Sequence, residues 1–313
     1  SCYTFSMNEP ARGGHPMPCL PDYESPASLK AFLEENGMAM QKKFGQNFLV
    51  NGTCREKLVA ACSVDRTNTV WEIGPGLGAM TDLLLKTGAE LTVFEIDHGF
   101  ARALERFFSA HENFTLVEGD VLKTWPSVLK KNGIPDCLFG NLPYNIAATM
   151  LADMITANVL FDTCVFTVQK EVALRMAAKP GTKDYSSFSV LCQYGYDVQT
   201  VMDIAPGSFW PKPNVTSRAV LLRKKKVPSS ASNPALFFSL LRALFSSRRK
   251  TVSNNLKSWL ALNKVSGYNG AQENLAADIF EQSDIQPSVR AETLRLDEFL
   301  KIAEVINRYE HTR

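Results

Sequence analysis

The chain has 313 residues, of which 45% are hydrophobic and 21% are charged, and its formal net charge at pH 7 is +2. This composition can form one large globular domain or two, and it excludes the overall basicity that would by itself indicate a nucleic-acid partner. The sequence has no run of about 18 apolar residues that could span a membrane and no apolar signal-peptide segment in residues 1–26, so we expect a cytoplasmic protein.

The first 26 residues are rich in proline and glycine. Both residue types oppose regular helix and strand, so we predict a disordered tail at 1–26. Two short helices are predicted next, at 28–36 and at 53–62, because the apolar residues of these segments recur at helical spacing.

From residue 69 onward, short β-rich runs alternate with helical stretches. The alternation predicts an α/β fold with a parallel sheet and helices on both faces. Two further strands are expected at 197–204 and 215–223, as an antiparallel pair at one edge of the sheet. The runs predicted as parallel strands are TVWEIG, ELTVFEI, FTLVEG, CLFGNLPY and DTCVFTVQK.

The sequence changes character after a tri-lysine run and the linker VPSSASNP. Residues 235–262, 271–282 and 297–308 follow a helical pattern without intervening strands. We therefore predict a catalytic domain at 27–227 and a small all-α C-terminal domain at 228–313.

Three glycines lie where the first predicted strand of the sheet meets the following helix. Gly74, Gly76 and Gly78 would let backbone amides and a helix N-terminus approach a ligand closely. Ala79 also satisfies the relaxed dinucleotide fingerprint, so an NAD enzyme is a rival at this point. A tight turn with a purely structural role is the other alternative.

One carboxylate lies at the end of the second predicted strand, and another follows the third. Glu95, about 20 residues after the glycines, is placed to accept hydrogen bonds from both ribose hydroxyls of a bound adenosine, which suits either cofactor. Asp120 could meet an adenine amine, and this favours a methyltransferase. The alternatives are a surface carboxylate for Glu95 and a helix cap for Asp120.

The segment Asn141-Leu142-Pro143-Tyr144 matches the (D/N/S)-P-P-Y pattern of amino methyltransferases, with leucine at the second position. An adenine amine is a poor nucleophile because its lone pair is delocalised into the ring. Hydrogen bonds from that amine to the Asn141 side-chain oxygen and the Leu142 carbonyl would favour a tetrahedral nitrogen. Pro143 would hold the turn rigid, and Tyr144 and Phe209 would offer faces on which the extruded base stacks.

From Lys42 nearly to Ile302 the chain resembles the KsgA-type ribosomal RNA adenine dimethyltransferases. So many segments match in the same order that chance agreement is negligible. The resemblance implies a Rossmann-like class I methyltransferase sheet with a small all-α C-terminal domain. The matching segments are KKFGQNFL, EIGPGLGAMT, FEID, GDVL, GNLPYNIA, VQKEVALRMAAKPGTKDYSSFSVLCQ, FWPKPNVTS, LFSSRRKTVSNNL and RAETL.

The resemblance also implies a cofactor, S-adenosyl-L-methionine, and a substrate. The substrate would be two neighbouring adenosines in the 3′-terminal hairpin loop of small-subunit ribosomal RNA, each dimethylated within an assembling 30S-type subunit. We expect no metal, because cysteines and histidines are scattered without ligand spacing. We also expect a monomer. The cofactor-binding residues are expected to be Gln46, Asn47, Leu49, Gly74, Gly76, Glu95, Asp120 and Asn141.

Clusters of basic residues are the candidates for contacts to RNA phosphates, which would supply salt-dependent affinity without sequence choice. Solvated charge is the ordinary alternative for such runs, above all for the tri-lysine at 224–226. The residues predicted to bind RNA are Lys42, Lys43, Arg248, Arg249 and Lys250.

Other functions on the same fold remain open. An erythromycin-resistance-type enzyme acting on large-subunit RNA shares the Asn-(Ile/Leu)-Pro-Tyr turn. A noncatalytic assembly or transcription factor is a second alternative, against which the complete set of Glu95, Asp120 and Asn141 argues. An NAD oxidoreductase would not explain the Asn141–Tyr144 turn.

Overall fold

The computed structural model describes residues 19–40, 47–227 and 229–311, without the side chains of residues 144 and 145. The helices are α1 (Pro26–Glu35), α2 (Gly52–Cys62), α3 (Ala79–Leu85), α4 (His98–Phe108), α5 (Val121–Asn132), α6 (Tyr144–Thr156), α7 (Lys170–Met176), α8 (Ser187–Gly195), α9 (Pro234–Leu244), α10 (Val252–Leu260), α11 (Leu275–Ser283) and α12 (Leu296–His311). The strands are β1 (Phe48–Leu49), β2 (Thr69–Ile73), β3 (Glu90–Glu95), β4 (Phe114–Glu118), β5 (Cys137–Asn141), β6 (Thr163–Gln169), β7 (Tyr196–Ile204), β8 (Phe209–Trp210) and β9 (Ser217–Lys224). Among the described helices, none is long and apolar enough to cross a membrane.

Seven of the strands form one sheet in the order β4-β3-β2-β5-β6-β9-β7. Strand β2 runs parallel to both β3 and β5, and β3 runs parallel to β4. The predicted α/β fold with a parallel sheet is therefore confirmed. The two strands predicted near the edge are β7 and β9, which are neighbours at one end of the sheet.

The strand order reverses at β2. From β2 the chain moves outward through β3 to β4 and then returns to the other side of β2 as β5. In open parallel sheets such a reversal leaves a crevice outside the carboxyl ends of the two strands, where ligands bind. The carboxyl ends of β2 and β5 carry the glycines and Asn141, and β3 between β2 and β4 ends at Glu95.

The chain divides into two compact units. Of the described residues, the first unit contains those within 1–143, 164–167 and 203–219, and the second contains those within 144–163, 168–202 and 220–313. The helices α9 to α12 belong to the second unit, where Phe237, Phe280 and Phe299 are buried. The predicted domain boundaries at 27–227 and 228–313 remain predictions.

The predicted disordered tail at 1–26 extends too far. Residues 1–18 lie outside the described residues. Pro21 and Tyr23, however, are buried. Helix α1 begins at Pro26, and the Ser25 side chain caps it by accepting a hydrogen bond from the Ser28 amide. Tertiary packing thus orders a segment that its proline content suggested would stay irregular and mobile.

The helical pattern predicted over 235–262 is interrupted, because α9 ends at Leu244 and α10 begins at Val252. The buried Asn255 side chain donates to the Leu244 carbonyl at 2.7 Å and to the Ser247 carbonyl at 3.1 Å. Thr251 caps α10 by accepting from the Asn254 amide. These bonds satisfy backbone groups that a continuous helix would have satisfied internally, so periodicity alone could not reveal the break.

Candidate active site

The glycine-rich turn after β2 has a backbone that only glycine adopts without strain. Gly74, Gly76 and Gly78 have φ angles of 66°, 58° and 88°, in the left-handed region. A Cβ on Gly76 would lie 3.0 Å from Phe48 Cε1, and one on Gly78 would lie 2.4 Å from Phe108 Cε2. The turn therefore needs glycine for both conformation and space, as its position before α3 suggested.

Glu95 is buried, with 4% of its surface exposed, so the surface-carboxylate alternative is wrong. Its Oε2 accepts a hydrogen bond from the Gly76 amide at 3.1 Å, and its Oε1 accepts one from the Asp97 amide at 2.8 Å. A carboxylate has about four acceptor positions, so each oxygen retains capacity for a further donor. Burial raises the pKa of Glu95 to about 7, although hydrogen bonds from the backbone of Asp97, Gly76 and Ile96 oppose the shift.

A second buried carboxylate, Glu72, lies in β2 below the turn, with 2% exposure. The Thr81 hydroxyl donates to its Oε2 at 2.7 Å. Burial raises the pKa of Glu72 to about 8, and the nearby Glu95 raises it further in the same direction. Sequence reasoning overlooked this residue, although a glutamate inside the apolar run VWEIG is itself unusual, because charged residues are seldom fully buried.

Asp120 precedes α5 as its N-cap, and its Oδ1 accepts a hydrogen bond from the Leu122 amide at 3.0 Å. The helix-cap alternative is therefore confirmed for one oxygen, and a contact to the cofactor through the carboxylate stays a prediction. Asp97 also caps a helix, because its Oδ1 accepts from the Gly99 and Phe100 amides at the start of α4. Asp97 follows the carboxyl end of β3, and Asp120 follows that of β4.

Asn141 ends β5 with its side-chain amide oriented by a distant backbone group. The Nδ2 atom donates to the Asn47 carbonyl at 3.1 Å, which leaves Oδ1 as the acceptor of this amide. The following Leu142 amide donates to the Thr167 carbonyl at 3.2 Å, and a Cβ on Gly74 would lie 4.0 Å from Leu142 Cδ2. The turn that carries Asn141 and Leu142 thus lies near the glycine-rich turn.

A two-stranded antiparallel ribbon, β1 with β8, brings together two segments that the sequence separates. Leu49 pairs with Phe209, and Phe48 pairs with Trp210. Phe209 is buried, with 4% exposure. The Phe48 ring stacks on Trp210 with centroids 6.1 Å apart and meets Phe100 edge-on at 5.8 Å. Phe48 and Trp210 were not predicted as site residues, and nothing in their local sequence indicates this pairing.

The first unit contains Asn47, Leu49, the three glycines and the acidic residues, together with Asn141, Leu142, Pro143 and Phe209. Gln46, Lys42 and Lys43 lie outside the described residues, and so does the side chain of Tyr144, although Tyr144 begins α6. Among the residues that the structure describes, no group of three or more histidine, cysteine, aspartate or glutamate side chains could hold a metal ion.

The basic residues at 248–250 divide into two kinds. Arg248 forms an ion pair with Glu292 at 2.8 Å and donates to the Lys183 carbonyl at 2.8 Å. It therefore joins two loops of the second unit. Arg249 and Lys250 are exposed, and within the described part of the chain neither side chain has an ion-pair partner.

Comparison with known proteins adds to this geometry. The family model "Ribosomal RNA adenine dimethylase" matches residues 37–308. A protein of Treponema denticola named ribosomal RNA small subunit methyltransferase A is 49% identical over 91% of this chain and 96% of its own length. A protein of Borreliella burgdorferi with the same name is 38% identical over 92% of this chain and 96% of its own length.

Two solved structures share the fold. A dimethyladenosine transferase from Plasmodium falciparum superposes with a TM-score of 0.69 at 27% identity, covering 83% of this chain and 97% of the other. The 23S ribosomal RNA methyltransferase ErmE superposes with a TM-score of 0.58 at 19% identity, covering 83% of this chain and 99% of the other. At that identity the second likeness concerns the fold alone.

Proposed function

This chain belongs to the ribosomal RNA adenine dimethylase family, and from that premise we propose that it dimethylates the N6 amines of two adjacent adenosines of small-subunit ribosomal RNA. The target is the 3′-terminal hairpin loop, and S-adenosylmethionine is the methyl donor. The observation that carries the proposal is the Asn141 amide, whose bond to Asn47 leaves its oxygen as an acceptor for the target amine at the crevice beside β2.

The residues around the glycine-rich turn fit an adenosine-containing cofactor. Glu95 would accept hydrogen bonds from the two ribose hydroxyls. Each carboxylate oxygen accepts one bond from a backbone amide and can accept another. The left-handed turn would let the cofactor approach the backbone at Gly74 and Gly76. When bound, S-adenosylmethionine supplies a methyl group on a sulfonium for direct displacement.

The amine side of the reaction depends on the turn that follows β5. Asn141 Oδ1 and the Leu142 carbonyl would accept hydrogen bonds from the target amine and favour a tetrahedral nitrogen with its lone pair available. Preorganised acceptors of this kind stabilise charge that develops in the transition state. Phe209 would stack on the base, as in enzymes that extrude a base before modifying it. Positioning then supplies the catalysis, and no strong base is required.

The small ribosomal subunit is the favoured substrate because the relatives at 38% and 49% identity are named for it. The likeness to the large-subunit enzyme supports a shared fold only. We further propose that the catalytic domain spans 27–227, that the helical domain at 228–313 contacts RNA in an assembling subunit, and that the protein acts as a cytoplasmic monomer.

The test of the function is a methylation assay with radiolabelled S-adenosylmethionine and three acceptors: unmethylated small subunits, large subunits, and free small-subunit RNA. We expect label in small subunits, mapped to two adjacent dimethyladenosines near the RNA 3′ end. Label in large-subunit RNA would replace the proposal with the erythromycin-resistance-type activity. Binding of small subunits without any transfer would favour a noncatalytic assembly factor.

Arg249 and Lys250 test the RNA-binding surface without disturbing the ion pair of Arg248. Reversing both charges (Arg249→Glu with Lys250→Glu) should weaken binding of small subunits and reduce the slope of log Kd against log salt by about one for each phosphate that is no longer neutralised. Affinity for S-adenosylmethionine should stay at the parental value.

The matched control reverses Lys130 and Lys131, a neighbouring pair of exposed lysines at the end of α5. If both double variants change the salt slope equally, the effect comes from net charge and 249–250 do not form a specific contact. An unchanged slope in the Arg249/Lys250 variant would also contradict the prediction.

A further inference from the structure

The segment of residues 19–25, called here the N-terminal strap, packs on the glycine-rich turn. The hydroxyl of Tyr23 donates a hydrogen bond to the Leu77 carbonyl at 2.8 Å. Leu77 lies between Gly76 and Gly78, and both partners are buried, with 8% of Tyr23 and 1% of Leu77 exposed. The strap thus reaches the centre of the turn, and it precedes the residues that the family model matches.

Two further contacts hold Tyr23 in place. The Arg55 guanidinium, on α2, lies over the Tyr23 ring at 5.7 Å from its centroid. The same guanidinium forms an ion pair with Glu24 at 3.2 Å, and the Arg55 side chain is 8% exposed. A buried cation that contacts two consecutive strap residues limits the movement of both.

The strap is also anchored to the helix that follows it. The Asp22 amide donates to the Ser28 hydroxyl at 3.0 Å, and the Glu24 amide donates to Asp22 Oδ1 at 2.9 Å. Helix α1 in turn packs on α4, where the rings of Phe32 and Phe107 lie 5.4 Å apart. Tyr23 is therefore held by its own contacts to Leu77 and Arg55 and by the anchoring of the strap to α1.

Side chains from other elements add to the hydrogen bonds of the turn, in which the Gly78 amide donates to the Pro75 carbonyl at 2.9 Å. Its residues Gly74, Gly76 and Gly78 are all left-handed, so it lacks the continuous hydrogen bonding of a helix or strand. Glu95 holds the Gly76 amide, and Tyr23 holds the Leu77 carbonyl. Burial raises the pKa of the Tyr23 hydroxyl far above its ordinary value, so that this group remains a donor across the physiological range of pH.

We propose that Tyr23 is a positioning residue for cofactor binding, which keeps the glycine-rich turn in the conformation that receives the adenosine-containing cofactor. The inference rests on the proposed function, since it assumes that the turn binds this cofactor. Tyr23 acts through the backbone of Leu77 and does not itself contact the reacting atoms.

Tyr23→Phe keeps the ring under Arg55 and removes the hydroxyl donor alone. Loss of one buried hydrogen bond should raise the Kd and KM for S-adenosylmethionine about threefold to tenfold, with kcat at saturating cofactor near the parental value. Hydrogen exchange of peptides covering 74–78 should accelerate by a similar factor in the cofactor-free protein, because the turn opens more often.

Tyr185→Phe is the matched control, because Tyr185 is also buried and donates to a backbone carbonyl, that of Leu294, at 2.9 Å. This hydroxyl lies in the second unit, so its loss should lower stability without changing exchange at 74–78 or cofactor affinity. If Tyr23→Phe leaves both exchange and affinity unchanged, or alters them no more than the control does, Tyr23 is only structural and the proposal is overturned.

The exchange measurement also separates this inference from the proposed function. A parental protein that fails to bind S-adenosylmethionine would overturn the assigned cofactor. The comparison of exchange at 74–78 between Tyr23→Phe and Tyr185→Phe would still decide for or against the role of the strap in holding the turn.

Discussion

Asn141→Ala should lower the single-turnover rate of methyl transfer about 100- to 1000-fold, the usual cost of losing one preorganised electrostatic group at a reacting centre. The Asn141 oxygen would bond the amine most strongly as its nitrogen becomes tetrahedral and gains positive charge, so the loss falls mainly on the transition state. Binding of small subunits should change far less, because RNA affinity is spread over many phosphate contacts.

The same substitution also removes the bond from Nδ2 to the Asn47 carbonyl, so the measurement needs saturating S-adenosylmethionine and a second variant. Asn141→Asp keeps an acceptor oxygen but cannot donate to Asn47. We expect it to retain more activity than Asn141→Ala. Near-parental dimethylation by a folded Asn141→Ala protein would contradict the role assigned to this side chain and would leave base positioning to Phe209 and Tyr144.

Glu95→Ala should weaken binding of S-adenosylmethionine about 10- to 150-fold, which corresponds to the roughly 1.5–3 kcal/mol of hydrogen bonds to a charged group. The variant also removes the hydrogen bonds from the Gly76 and Asp97 amides to the carboxylate. Loss of these bonds and loss of the bonds to the ribose both weaken cofactor binding. Isothermal calorimetry gives the affinity, and thermal unfolding checks the fold. An unchanged affinity would place the cofactor elsewhere.

The cofactor affinity should also depend on pH through Glu95. Its pKa is raised to about 7, and only the ionised carboxylate accepts hydrogen bonds at all of its positions. The Kd should therefore be nearly constant above pH 8 and should rise as pH falls through 7, approaching about tenfold per pH unit. Calorimetry between pH 6 and 9 measures this dependence.

Two other carboxylates lie near Glu95, and the pH dependence of the Kd must be assigned to one of these groups. Glu72 is buried nearby with its pKa raised to about 8, and Asp97 lies beside Glu95 as the cap of α4. Glu72→Gln should keep the rise of Kd near pH 7, whereas Glu95→Gln should bind more weakly and abolish it. A pH dependence that disappears in Glu72→Gln and persists in Glu95→Gln would show that Glu72, and not Glu95, is the titrating group.

Some features of the site could be predicted because each depends on a short stretch of chain. The parallel sheet follows from β-rich runs that alternate with helices, and parallel strands place their carboxyl ends at one edge. The glycines, Glu95, Asp120 and Asn141 each end a strand or lie within five residues after one. In a parallel sheet these positions all lie at the same edge.

The sequence by itself thus determined the fold class, the family resemblance and the residue types at the ends of the strands. Only the tertiary structure showed how these residues are held, because their partners are far apart in the chain. Asn141 is oriented by a carbonyl 94 residues away, and Tyr23 reaches the turn across 54 residues. Arg248, which is predicted to contact RNA, also pairs with Glu292, 44 residues further along the chain. Local patterns report which chemistry a segment can perform, whereas bonds between distant segments form only when packing brings them together.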